Sequence, residues 1–285
     1  MTILTKQRLT ELTKDAMPKK EISWVDLDHT LILTDAKWWI LDKNKPDTYL
    51  FRVSQYEGTL IRTGFHKGDN LPIYYNGIGG FLSKEIWDKI LKIKKFTLED
   101  IGVSYREYTD ENLINEHLTN CIFFIERFKE IKDHTVNILT ARGNKDGHKG
   151  MINVIETKMA EKGLKLHESY FVNDPKQINF GTNSAEKKLL CIIEKIVGYK
   201  IHDSEFTHIV DETYDVSNFF DDEDINISIC KDINKFIRFL LDNSEEWLQE
   251  KIRVSLNSRK PILRTHLINS NEMNPFYTEE IKIEI

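Results

Sequence analysis

The sequence predicts an α/β fold in which a parallel sheet is covered by helices and interrupted by a smaller β-rich insertion. Three observations predict it. Short apolar runs end in acidic or turn residues, as buried parallel strands do at their carboxyl ends. Amphipathic helical patterns lie between those runs. One stretch of about 75 residues breaks the alternation and is too long for a connecting loop.

The runs are Ile22 to Asp28, Val136 to Leu139, Tyr170 to Val172, Thr207 to Val210 and Ile225 to Ile229, which suggests five strands. Helices are expected at Glu111 to Ile131, at Lys149 to Lys162 and at Ser184 to Val197, where Leu189, Ile192, Ile193 and Ile196 share a face. Alternating elements of this kind form a sheet with both faces covered, and ligands collect beyond the carboxyl ends of its strands. The organisation read from this pattern is a leading helical arm at 1–21, a core at 22–34 and 110–242, an insertion at 35–109, and a C-terminal helix from Glu245 to Ile252 followed by a polar, irregular tail within 243–285.

The insertion has its own composition. It carries 12 Lys/Arg against 10 Asp/Glu, and 13 aromatic residues and 7 glycines. Thr48 to Val53 and Gly58 to Arg62 alternate as strands do, and a helix is expected around Lys84 to Lys95. Trp38, Trp39, Tyr74, Tyr75 and Trp87 could stack on bases, with Arg52, Arg62, Lys67, Lys92, Lys94 and Lys95 meeting phosphates. A small subdomain that builds its core from aromatics explains the same residues, and is the favoured reading.

The 285 residues suggest two domains or one with a large insertion. Forty basic against 46 acidic residues give a net charge of −6, which excludes a globally basic coat for wrapping nucleic acid. Cys121, Cys191 and Cys230 contain no CxxC pair, arguing against a disulfide framework or structural zinc. No apolar run approaches the roughly 18 residues of a membrane span, and the first residues lack a secretory pattern. A cytoplasmic protein that does not engage a membrane is expected, and its oligomeric state is left open.

The sharpest chemical signal is Asp26-Leu27-Asp28-His29-Thr30, at the end of the first strand. Two carboxylates two positions apart share a side of an extended chain, unless the chain turns. A divalent cation would relieve that crowding; without one, the pKa of one acid should rise. Leu139-Thr140-Ala141-Arg142-Gly143 follows the second strand, where a hydroxyl and an adjacent backbone N–H suit a phosphate oxygen. Arg142 could add a fork-shaped contact to substrate. In Ser184-Ala185-Glu186-Lys187-Lys188, Ser184 is the expected N-cap, and spacing to the buried stripe favours Lys188 over Lys187. An acidic segment, Asp211-Glu212-Thr213-Tyr214-Asp215, follows the run at 207–210. The later Asp221 to Asp224 run reads as a solvated loop. The stretch 144–150 is not a phosphate-binding GxxxxGK[ST] loop, and none occurs elsewhere.

In this order the four motifs resemble those of the haloacid dehalogenase (HAD) superfamily of phosphohydrolases, over residues 22–34 and 110–242. The resemblance implies a Rossmann-like core, with the insertion in the position of a C1 cap that selects substrate. It implies that Asp26 is the nucleophile, forming an aspartyl-phosphate, and that Asp28 is the general acid and base. Thr140 and a lysine, Lys188 or Lys187, would bind and balance the phosphoryl group, and Thr30, Ala141 and Arg142 would contact substrate. Mg²⁺ would be held by Asp26, by Asp28 through its carbonyl, and by Asp211, with Asp215 supporting the shell. His29 stands at a variable position. The expected partner is a phosphorylated small molecule or a nucleic-acid end, because LTARG and an early cap also resemble end-healing phosphatases of the superfamily. The competing readings are a phosphotransferase or mutase on the same site, and a non-enzymatic module that binds nucleic acid or protein.

Overall fold

A computed structural model describes residues 20–28, 30–32, 37–42, 45, 49–53, 101–104, 107, 135–143, 145–161, 163–174, 181–210, 212–268 and 275–285. The expected arm apart from Lys20 and Glu21, the strand at 58–62, the helices at 84–95 and 111–131, most of the insertion's aromatic and basic residues, His29, Cys121 and Asp211 lie outside them. The chain divides into two compact units, Met1–Leu33 with Leu118–Ile285, and Thr34–His117.

In chain order the strands are β1 (Glu21–Val25), β2 (Trp38–Asp42), β3 (Tyr49–Val53), β4 (Ile101–Ser104), β5 (Thr135–Thr140), β6 (Leu166–Phe171), β7 (Tyr199–His202), β8 (Glu205–Ile209), β9 (Val216–Asp221), β10 (Ile262–Ile268) and β11 (Pro275–Lys282). The helices are α1 (Lys149–Glu161), α2 (Ser184–Val197), α3 (Asp224–Ser228), α4 (Ile233–Asn243) and α5 (Glu246–Arg259).

The first unit contains a six-stranded sheet in the order β11-β10-β9-β1-β5-β6. It is parallel throughout except where β11 pairs antiparallel with β10. β1 is central because its side chains are apolar on both faces: Ile22, Trp24 and Val25 are all buried. From β1 the chain goes on to β5 and β6 on one side, then returns to β9 on the other. The strand order therefore reverses between β1 and β9, the place at whose carboxyl ends ligands gather in sheets of this kind. Asp26 and Asp221 stand there, brought level by the pairing of Val25 with Phe220 and by the Asp26 N–H donated to the Phe220 carbonyl at 2.9 Å.

α2 is buried along almost its entire length, its Leu189, Ile192, Ile193 and Ile196 joining Ile22, Trp24, Leu139 and Phe219 in one core. Asn183 caps it by accepting the Glu186 N–H at 2.9 Å, one residue earlier than the Ser184 cap expected. Gly198 ends it at φ 91°, a left-handed position where a Cβ would meet the Thr213 Cγ2 at 2.5 Å.

Three expectations are corrected. The run at 207–210 is not a strand of the main sheet: among the described residues β8 pairs with β7 in a two-stranded hairpin, and Ile209 is exposed. The run at 225–229 is helical, forming α3 and the 3₁₀ turn Ile229–Asp232. The tail is not irregular, since β10 and β11 extend the main sheet and Leu263 and Ile283 enter its core.

The second unit contains an antiparallel sheet in the order β3-β2-β4. There Glu107 accepts the Lys37 N–H, the Trp39 indole N–H at 2.7 Å and an Arg52 guanidinium N–H at 2.7 Å. Arg52 also lies over the Trp39 ring, 5.4 Å from its centroid, so these two side chains serve local structure. Cys191 and Cys230 are buried free thiols. Among the described residues no helix is long and apolar enough to cross a membrane.

Candidate active site

The site is built where β1, β5 and β9 end and α2 begins. After Val25 the chain turns: the Leu31 and Ile32 N–H groups both donate to the Leu27 carbonyl. This turn parts the two carboxylates of the first motif. Asp26 faces α2, while Asp28 faces the loop after β5.

Lys188 reaches Asp26 Oδ1 at 2.6 Å and Asp221 Oδ2 at 2.7 Å, and its side chain is only 2% exposed. It can do so because it lies early on α2, on the same stripe as Ala185 and Ile192, which is anchored in the core. Lys187 points elsewhere, with its ammonium 3.4 Å from the Asn173 Oδ1. Asp221 is held by further donors, accepting the Asn226 side-chain N–H at 2.9 Å and the Glu223 N–H at 3.0 Å. Thr30 donates its hydroxyl to Asp222 Oδ1 at 3.3 Å.

Asp26, Asp221 and Asp222 each offer an oxygen within 4.8 Å of the others. Burial raises the Asp26 carboxyl well above the usual carboxylate range. Lys188 opposes this, but Asp221 and Asp28 add to it. For Lys188, burial pulls the ammonium down, and the attraction of Asp26 and Asp221 outweighs it, holding the group above an ordinary lysine. One ammonium is thus shared among more negative charge than it balances. These three aspartates could hold a metal ion, which would supply the missing positive charge, and an all-carboxylate set suits a hard cation such as Mg²⁺ or Mn²⁺.

Thr140 is buried at the end of β5, its hydroxyl accepting the Arg142 N–H at 3.3 Å. The Ala141 carbonyl accepts from Asn173 Nδ2 at 2.6 Å, and the same amide group donates to Ser184 Oγ at 2.9 Å, tying this loop to the start of α2. Arg142 does not reach into open space. Its Nε and Nη2 grip both oxygens of Asp28 at 2.8 and 2.6 Å, and its Nη1 contacts the Met151 sulfur at 3.1 Å.

Of the expected fourth acidic segment, the placement of Asp215 is corrected. Asp215 precedes β9, with its N–H on the Lys20 carbonyl and its carboxylate 3.6 Å from Arg259. That is the amino edge of the sheet, six residues from Asp221 along the strand direction and so about 20 Å away. Asp215 cannot share an ion with Asp26. Asp211, outside the described residues, follows the hairpin strand β8 rather than a strand of the main sheet. The acidic pair beside Asp26 is Asp221-Asp222, at the end of a core strand rather than in a solvated loop. A signal was present: Val216 to Phe220 ends in acids as Ile22 to Val25 does, but Ser217 and Asn218 disguise a strand buried at every position.

Comparison of the chain with protein-family models, with curated proteins and with solved structures finds no match.

Proposed function

We propose that this protein is a Mg²⁺-dependent phosphohydrolase of the haloacid dehalogenase type, with Asp26 as its nucleophile. The observation that carries the reading is the Asp26–Lys188–Asp221 arrangement at the carboxyl ends of β1 and β9, with Thr140 at the neighbouring end of β5.

In this reading Asp26 attacks phosphorus, forming an O–P bond while the bond to the leaving oxygen breaks. Asp28, protonated from solvent, gives its proton to that oxygen, then takes one from the water that attacks phosphorus and breaks the Asp26 O–P bond, so the Asp26 carboxylate and the Asp28 acid are both regenerated. Lys188 keeps Asp26 aimed and offsets its charge. The Thr140 hydroxyl and the N–H groups of its loop meet the phosphoryl oxygens as charge builds on them. Asp26, Asp221 and Asp222 would hold Mg²⁺, which when bound would supply the charge that lets an anionic nucleophile meet an anionic ester. The substrate is a phosphomonoester, and nucleotides and polynucleotide terminal phosphates are the first class to screen.

The test is hydrolysis of an aryl phosphate with Mg²⁺ in ¹⁸O-labelled water. The reading expects metal-dependent turnover, label in the released phosphate, and loss of turnover in a folded Asp26→Asn variant. Transfer to an added alcohol without label would favour the phosphotransferase. Unchanged turnover in Asp26→Asn would refute the nucleophile.

A further inference from the structure

We infer that Arg142 is a latch on Asp28 which the substrate itself opens, by offering its phosphoryl oxygens as a replacement for the carboxylate. The inference rests on the reading above and adds a resting state to it. Two observations carry it. The fork of Arg142 binds both oxygens of Asp28, at 2.8 and 2.6 Å, so the carboxylate is aimed at the guanidinium rather than at a leaving oxygen or a water while the pair is closed. Both side chains are also largely enclosed, Arg142 at 10% and Asp28 at 20% exposed.

An enclosed guanidinium cannot shed its charge, so it leaves one anion only for another. Its contact to the Met151 sulfur is a weak substitute. Among the described residues, Asp26 and Asp221 bind Lys188, and Asp174 accepts the Lys145 N–H at 2.8 Å. Arg142 lies two residues beyond Thr140, with its N–H on the Thr140 hydroxyl, so an oxyanion at Thr140 arrives beside it. The exchange breaks two N–H···O bonds to Asp28 and makes two to the phosphoryl group. Asp28 is then released only when there is an ester to act on. Arg142 is in this account a positioning residue for Asp28 as well as a ligand for substrate.

Crystals of the full wild-type chain with Mg²⁺ and inorganic phosphate test this. The latch predicts phosphate beside Asp26, with Arg142 turned onto its oxygens and off Asp28. Phosphate beside Asp26 with Arg142 still forked on Asp28 would overturn the latch and leave the phosphohydrolase reading standing. Absence of phosphate from the site at saturating concentration would overturn both. Kinetics supply a second readout: Arg142→Gln should weaken competitive inhibition by inorganic phosphate by about 10- to 100-fold, with Arg142→Lys partly restoring it. Inhibition unchanged in a folded Arg142→Gln protein would also overturn the latch.

Discussion

Asp221 and Asp215 give the most direct contrast between single residues. Both belong to acidic stretches of the sequence, yet they stand at opposite ends of β9. Mg²⁺ should raise the thermal midpoint of the wild-type protein, as any ligand of the folded state alone does. Asp221→Asn should abolish that rise and the turnover of an aryl phosphate, while Asp215→Asn keeps both within about twofold. Calorimetry with and without Mg²⁺ separates the two. Lys188→Met leaves Asp26 and Asp221 buried without their shared cation, so in EDTA it should cost about 3–5 kcal/mol in urea unfolding. An Asp215→Asn variant that lost the Mg²⁺ response would contradict this placement of the acidic residues.

Among the elements, α2 and β10 carry separable predictions. α2 must stop at Gly198 for the chain to turn into β7, and its φ of 91° disfavours any Cβ even before the 2.5 Å approach to Thr213. Gly198→Ala should therefore destabilise the fold by about 1–2 kcal/mol or more, with its effect on turnover confined to the loss of folded protein. On β10, His266 stacks on Phe220 with ring centroids 4.2 Å apart. Burial, with Arg264 nearby, depresses its pKa from 6.5 to about 4. Below pH 6.5 the unfolded chain takes up a proton that the folded chain refuses, so the contribution is intact above that pH and falls as pH drops toward 4. The loss is roughly 3 kcal/mol once both values are passed. Unfolding free energies measured from pH 7 to pH 4 should show this slope in wild type, and His266→Phe should flatten it.

For the whole molecule, what could be read in the sequence follows burial. β1 and α2 announce themselves because the residues they place in the core are apolar, Ile22 and Trp24 in one and Leu189, Ile192, Ile193 and Ile196 in the other. The first motif, Thr140 and Lys188 could be placed because each sits at the end of such an element. β9 was hidden by Ser217 and Asn218, which are buried polar residues; Asn218 donates to Glu21 Oε1 at 2.6 Å. β10 alternates buried Leu263 and Thr265 with more exposed Arg264 and His266, and β11 lies at the edge of the sheet, so neither reads as an apolar run. The Arg142–Asp28 pair joins residues 114 apart, a long-range contact that no local pattern encodes. Because β10 and β11 complete the sheet beside β9, deleting residues 261–285 should leave a chain that does not fold cooperatively, as seen by circular dichroism through a urea titration. A cooperative transition in that fragment would contradict the placement of β10.

The most direct test of the central claim is an acid quench of wild-type turnover with an aryl phosphate and Mg²⁺, followed by peptide mapping. The account predicts a hydroxylamine-labile phosphoryl group on the peptide that carries Asp26. Phosphate release with no phosphorylated peptide at any quench time, or with the phosphoryl group on another residue, would contradict it.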